Sequence, residues 1–219
     1  ISLEGVSNND FTMVWGYPGS TDRYLTSWGV RQLLDIKAPT IVDIRDLKLE
    51  IMNKHMNADP KVRIQYASKH ARTANYWKYF IGQSKGLKRL GVYEKKQDIE
   101  QDFQAFANAS KANQSKYGAA LEHVEEAYNE TNETEKGATF LAEVGIRGTD
   151  AVLFTYRAHR MITKWMDTED AEEKSLVLEE LKSFAEDHFK NYNTALDEEQ
   201  FARLYGKYQA EVNPAQHPS

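Results

Sequence analysis

The chain contains no cysteine. Disulfides, thiolate nucleophiles and cysteine-ligated zinc are therefore excluded, and the absence fits a reducing cytosol or a bacterial periplasm equally well. Long apolar runs are missing too: nothing approaches the roughly 18–20 residues of a membrane span. Positive charge is not in excess. The net charge is -5 and the isoelectric point lies near 5.7, whereas binding to nucleic acid needs a clustered basic surface. The motifs of common catalysts are absent, with no Gly-x-Ser-x-Gly elbow, Walker loop, dinucleotide-binding glycine pattern or His-Glu-x-x-His. Six histidines are scattered along the chain. His123 precedes Glu125 and Glu126 at a spacing that does not suit a metal, and His159 and His188 fall at helical positions where packing or solvent accounts for them. Neither a metal nor a cofactor is expected. Ile1 follows no initiator methionine or signal peptide, so the chain reads as a processed or excised segment.

What is present is an ordinary globular composition, 41% hydrophobic and 28% charged, long enough for a substantial core in one domain or two. Residues 1–24 read as β and turn. Phe11-Thr12-Met13-Val14-Trp15 is a short β-rich run, and Gly16-Tyr17-Pro18-Gly19 is a turn leaving it. A lone strand needs neighbours, so its partners are expected outside this chain. From Trp28 onward the pattern predicts an all-α fold. Ile41, Ile44, Leu47 and Ile51 mark a helix stopping near Asn57, and another runs from Pro60 to about Gly86. Ile99, Phe103 and Phe106 mark a third. Leu121, Val124 and Tyr128 mark a fourth, ending at the polar stretch Asn129 to Thr134. A break at Gly145 to Gly148 precedes the clean stripe Ala151, Phe154, Ala158, Met161 and Trp165. Leu178, Leu181 and Ala185 mark the next helix, and Asp197 with Gln200 has the spacing of a capping box for the last. The acidic run Asp167 to Glu173 reads as a solvated N-terminal turn favoured by the helix dipole. Asn108, Asn113, Asn129 and Asn132 lie in glycosylation sequons that carry meaning only in a eukaryotic source.

The most informative stretch is residues 59–80. Asp59-Pro60 is a helix start, an acceptor at the N-cap followed by a residue whose missing N–H costs nothing there. Ala67, Ala71, Ala74, Trp77 and Ile81 share one apolar face, while Ser68, Arg72, Asn75, Tyr79 and Gly82 share another. An asparagine beside an arginine and a tyrosine is not required by packing, so something polar is expected to meet that side.

Gly16-Tyr17-Pro18-Gly19-Ser20-Thr21-Asp22-Arg23-Tyr24, Ala58-Asp59-Pro60 with Val62-Arg63-Ile64-Gln65-Tyr66-Ala67-Ser68, Asn75-Tyr76-Trp77-Lys78 and Gly86-Leu87 together resemble the bacterial dipeptidyl-peptidase 7 and 11 group of serine exopeptidases. The resemblance is dense over residues 11–91 and weaker through Phe189 to Tyr205 and His217-Pro218-Ser219. It implies a chymotrypsin-like double β-barrel interrupted by a large all-helical cap. Residues 1–24 would then be the end of a barrel strand and its linker, and residues 25–219 a multi-helix cap domain incomplete at its C-terminal end. The family's Gly-Asn-Ser-Gly-Ser-Pro-like nucleophile loop is not in this sequence, and its triad histidine and aspartate precede the matched region. No catalytic residue is therefore carried over, and the segment alone is expected to be inactive. The cap would open and close about joints such as Gly16 to Gly19 to admit peptide. Asn75 is the one site residue the resemblance supplies, holding the free N-terminal ammonium of a peptide substrate. It further implies a periplasmic or surface location in a Gram-negative bacterium, the missing barrel as partner, and allows a homodimer of the full enzyme. The alternative is a stand-alone helical interaction module without protease activity.

Overall fold

A computed structural model describes residues 5–13, 15–16 and 21–217. Within them no strand forms, and Phe11–Met13 and Trp15 lack regular structure. The predicted strand is thus not seen: its backbone groups find no ladder to join, and an unpaired strand has nothing to hold it extended. Val14 and the turn residues Tyr17–Ser20 lie outside the described residues.

The helices are α1 Ser27–Gln32, α2 Ala38–Ala58, α3 Pro60–Arg89, α4 Val92–Asn108, α5 Lys111–Tyr117, α6 Ala120–Phe140, α7 Asp150–Asp167, α8 Ala171–Lys190 and α9 Thr194–Glu211. A π-helical turn, Leu33–Lys37, joins α1 to α2 without leaving helical backbone. Pro39 is its physical cause, because it has no N–H for the Asp35 carbonyl and its ring crowds that carbonyl. A second π-turn, Leu141–Ile146, extends α6, and there the Tyr205 hydroxyl donates to the Gly145 carbonyl at 3.0 Å.

Helix starts follow local capping chemistry. The Asp59 carboxylate accepts from the Lys61 N–H at 2.7 Å, with Pro60 at the first helical position. Thr149, Asp170 and Asn193 cap α7, α8 and α9 in the same way. Gly91 separates α3 from α4 at φ 57°, a left-handed conformation that costs glycine nothing.

α2 is the central element. Its Ile44 packs with Phe140, Val144, Leu204, Tyr208 and Val212 from the α6 end and α9. Nearer its C-terminus, Met52 packs with Val62 and Tyr66 of α3 and Leu196 of α9. α3 folds back along α2, so that Arg45 of α2 lies 5.1 Å from the Tyr76 ring of α3. α4 is tied to the start of α1, where Glu100 accepts from both the N–H and the hydroxyl of Ser27 at 2.6 Å.

Three sequence expectations need correction. The inward face of α3 is Val62, Tyr66 and Thr73, while Ala67 and Ala71 are exposed; a tyrosine removes far more area from water than an alanine, so it decides which side faces in. α6 does not stop at Asn129 but runs through Thr134 to Phe140, because a polar run on a solvated helix face breaks nothing. The α9 cap is Asn193, not Asp197.

Candidate functional site around Asn75

α3 presents its polar face outward. Ser68, Ala71, Arg72, Asn75, Tyr79 and Gly82 are all exposed. Asn75 makes no hydrogen bond to another described residue. The small residues Ser68, Ala71 and Gly82 leave space around it, and a Cβ placed on Gly82 would meet nothing within 4 Å.

The flank of the same helix next to this face is locked. Lys69 donates to Asp150 Oδ2 at 2.5 Å and to the Asn191 carbonyl at 2.6 Å, and its ammonium stands 4.1 Å from the Tyr66 ring centroid. Gln65 donates to the carbonyls of Lys190 and Tyr192 at 3.0 and 3.4 Å. Tyr66 is fully buried, and burial first, then Asp150, pushes its phenol far above the ordinary range. Side chains held on a helix fixed in this way are positioned more precisely than side chains on a loop.

Asp150 is itself held in place. Asp197 is only 3% exposed, and its carboxylate accepts from the Asp150 N–H at 2.6 Å and the Ala151 N–H at 3.0 Å. It caps the neighbouring helix α7 rather than its own, with negative charge at the positive end of that helix's dipole. The sequence marked Asp197 as a cap and named the wrong helix. Gln200, its supposed capping-box partner, is buried with no hydrogen bond from its amide.

Turning round α3 from Asn75, Arg72, Thr73, Tyr76 and Phe80 form one wall of a cleft of about 430 Å³. α2, α7 and the Leu141–Ile146 π-turn with Arg147 supply the other walls, with Lys48 and Arg157 among the lining groups. Lys48 donates to the Arg147 carbonyl at 2.6 Å. Burial pulls its ammonium down to about 8, against opposing effects of Asp150 and Glu143. Sequence reading missed this cleft, since its basic residues run from Arg45 to Arg157 and meet only when α7 and the end of the Leu141–Ile146 π-turn pack beside α2 and α3.

Elsewhere, His188 stacks on Phe154 with ring centroids 4.3 Å apart, and burial holds its imidazole below the usual range. His159 is exposed on α7. Among the described residues, no three histidine, aspartate or glutamate side chains gather as a metal would require. No helix among them is long and apolar enough to cross a membrane.

Comparison with known proteins places this architecture. The chain is 36% identical over 212 residues to the Asp/Glu-specific dipeptidyl-peptidase of Flavobacterium psychrophilum, covering 95% of this chain and 29% of that protein. It is 36% identical over 199 residues to dipeptidyl-peptidase 7 of Porphyromonas gingivalis, covering 90% of this chain and 26% of the relative. The chain thus spans less than a third of the length of these relatives. Among solved structures, a crystal structure of Porphyromonas endodontalis DPP11 in complex with the dipeptide Arg-Glu shares the fold, with a TM-score of 0.67 at 23% identity over 93% of this chain and 29% of that one. The peptidase S46 family model matches residues 1–219, and with the helical fold and the relatives in agreement, the chain belongs to peptidase family S46.

Proposed function

We propose that this chain is the substrate-gating helical domain of a serine-type dipeptidyl-peptidase, which releases dipeptides from free N-termini of peptides. The family match over the whole chain, at under a third of its relatives' length, carries the reading. Residues 25–219 form the cap in this reading, and residues 1–24 lead from the catalytic β-barrel. That barrel is the partner that brings nucleophile, base and orienter. The segment alone releases no dipeptide, because its sequence contains no Gly-Asn-Ser-Gly-Ser-like nucleophile loop. A periplasmic or surface site in a Gram-negative bacterium, and a homodimer of the full enzyme, belong to the same proposal. A stand-alone interaction module is disfavoured by relatives named as peptidases.

Asn75 is the substrate contact. An exopeptidase that counts two residues must recognise the free α-ammonium, which offers three N–H donors and a positive charge. A side-chain amide oxygen on a fixed helix is a directional acceptor for it. Support comes from the exposure of Asn75, its freedom from hydrogen bonds to described residues, and the small residues around it. Losing a hydrogen bond to a charged group costs about 1.5–3 kcal/mol, so Asn75→Ala in the complete enzyme should lower kcat/KM by about one to two powers of ten. Wild-type cleavage by a normally folded variant would show that Asn75 does not hold the substrate.

A further inference from the structure

The cleft beside Asn75 has a charge that the chain as a whole does not. The protein carries a net charge of -5, yet six basic side chains and only two carboxylates line this cleft. Both carboxylates are engaged: Glu143 by Arg45 at 2.8 Å and by Arg147 at 3.7 Å, and Asp150 by Lys69 at 2.5 Å. Lys48, Arg72 and Arg157 form no ion pair with a described residue. Arg45, although well buried, leaves its Nε–H without a hydrogen-bond partner. Like charges crowded into one cleft repel, and partial desolvation strengthens that repulsion.

An anion relieves this arrangement, and the cleft indicates its carrier. A volume of about 430 Å³ is that of an organic ligand site rather than of a bare ion. Tyr76, Phe80 and Leu153 add apolar surface suited to a carbon skeleton. Arg72 and Arg157 bring planar guanidinium forks, which match a carboxylate through paired N–H donors. We propose that the cleft between α2, α3 and α7 is a second substrate subsite, taking a carboxylate carried by a peptide. This rests on the reading that the chain meets peptides, but uses residues other than Asn75.

Calorimetric titration of the 219-residue chain tests it with N-acetylated probes, which have no ammonium and so do not involve the Asn75 contact. Acetyl-Ala-Glu-Ala-amide offers only a side-chain carboxylate, acetyl-Ala-Ala-Ala only a terminal one, and acetyl-Ala-Gln-Ala-amide none. At least one of the first two should bind, more weakly as salt is raised, and the third should not; which of the two binds names the source of the carboxylate. Arg72→Gln and Arg157→Gln should each weaken that binding by about tenfold or more. Neither residue forms an ion pair with a described residue, so both variants should melt like the parent. In the unmutated chain the methyl signals of Met52 and Leu153 should move on titration, a readout that needs no variant. Equal binding of the neutral peptide, equal competition by inorganic phosphate, binding of no probe, or unchanged methyl signals would each overturn the proposal. None of these outcomes bears on Asn75, whose test needs a free ammonium and the complete enzyme.

Discussion

The α2–α3 pair and the α7–α8 pair are both helical hairpins, yet they bury very different amounts of side chain. α2 alone sinks seven residues, Ile44, Ile51 and Met52 among them, and α3 adds Val62 and Tyr66. α7 and α8 bury one residue each, Ala158 and Val177. Their contact is an aromatic seam in which Phe154 stacks on Phe184 at 5.1 Å and on His188 at 4.3 Å. Trp165 and Leu178, both on predicted apolar stripes, remain 40% exposed. The cleaner stripe in the sequence thus belongs to the less buried hairpin. A period of 3.6 residues shows that a helix has an apolar side; how deeply that side is buried depends on how many neighbours cover it. α2 is flanked by α3, α6 and α9, whereas α7 and α8 mainly have each other.

Mutations can break this contrast. Tyr66→Ala should be the most damaging, removing a fully buried ring between α2, α3 and α9 and costing about 3–5 kcal/mol in a urea titration. A loss no larger than that of a surface substitution would mean α3 is not anchored through Tyr66. Asp197→Ala should come next. It strips the Asp150 and Ala151 N–H groups of their acceptor and should cost about 1–3 kcal/mol. The same change should speed hydrogen exchange at those two amides before the rest of α7. Unchanged protection there would disprove capping between helices.

Lys48 gives a pH effect. Its folded pKa, near 8, lies below the ordinary lysine value of 10.5. Between those two values the unfolded chain binds the extra proton, so stability should rise as pH climbs from about 8 towards 10.5. Lys48→Met should flatten that rise. An identical pH profile in the variant would assign it to other groups. The least effect is expected at Leu178→Ala, within about 0.5 kcal/mol, as suits a surface position. A cost of several kcal/mol there would mean α8 is covered in solution by something outside the described residues, and the contrast between the hairpins would disappear.

Much of the fold was legible because it rests on short-range chemistry. Asp59-Pro60 announced the start of α3, and Gly145 to Gly148 announced the break before α7, since caps and breakers act through the backbone beside them. The polar face carrying Asn75 was legible for a related reason: residues three and four apart share a helix side whatever surrounds it. The choice of which side faced inward was not. Ala67 and Ala71 matched the period as well as Val62 and Tyr66 did, and only the approach of α2 and α9 selected the latter.

The sequence by itself determined that the chain is helical, where α3, α7 and α8 begin, and that Asn75, Arg72 and Tyr79 lie on one side of α3. Hydrogen bonds across a few residues and a fixed period are enough for that. Only the tertiary structure decided that Asp197 serves the start of α7 instead of α9, that Lys69 bolts α3 to Asp150, and that basic residues from α2, α3 and α7 surround one cleft. Those outcomes join residues dozens of positions apart, through contacts and burial that no local period encodes.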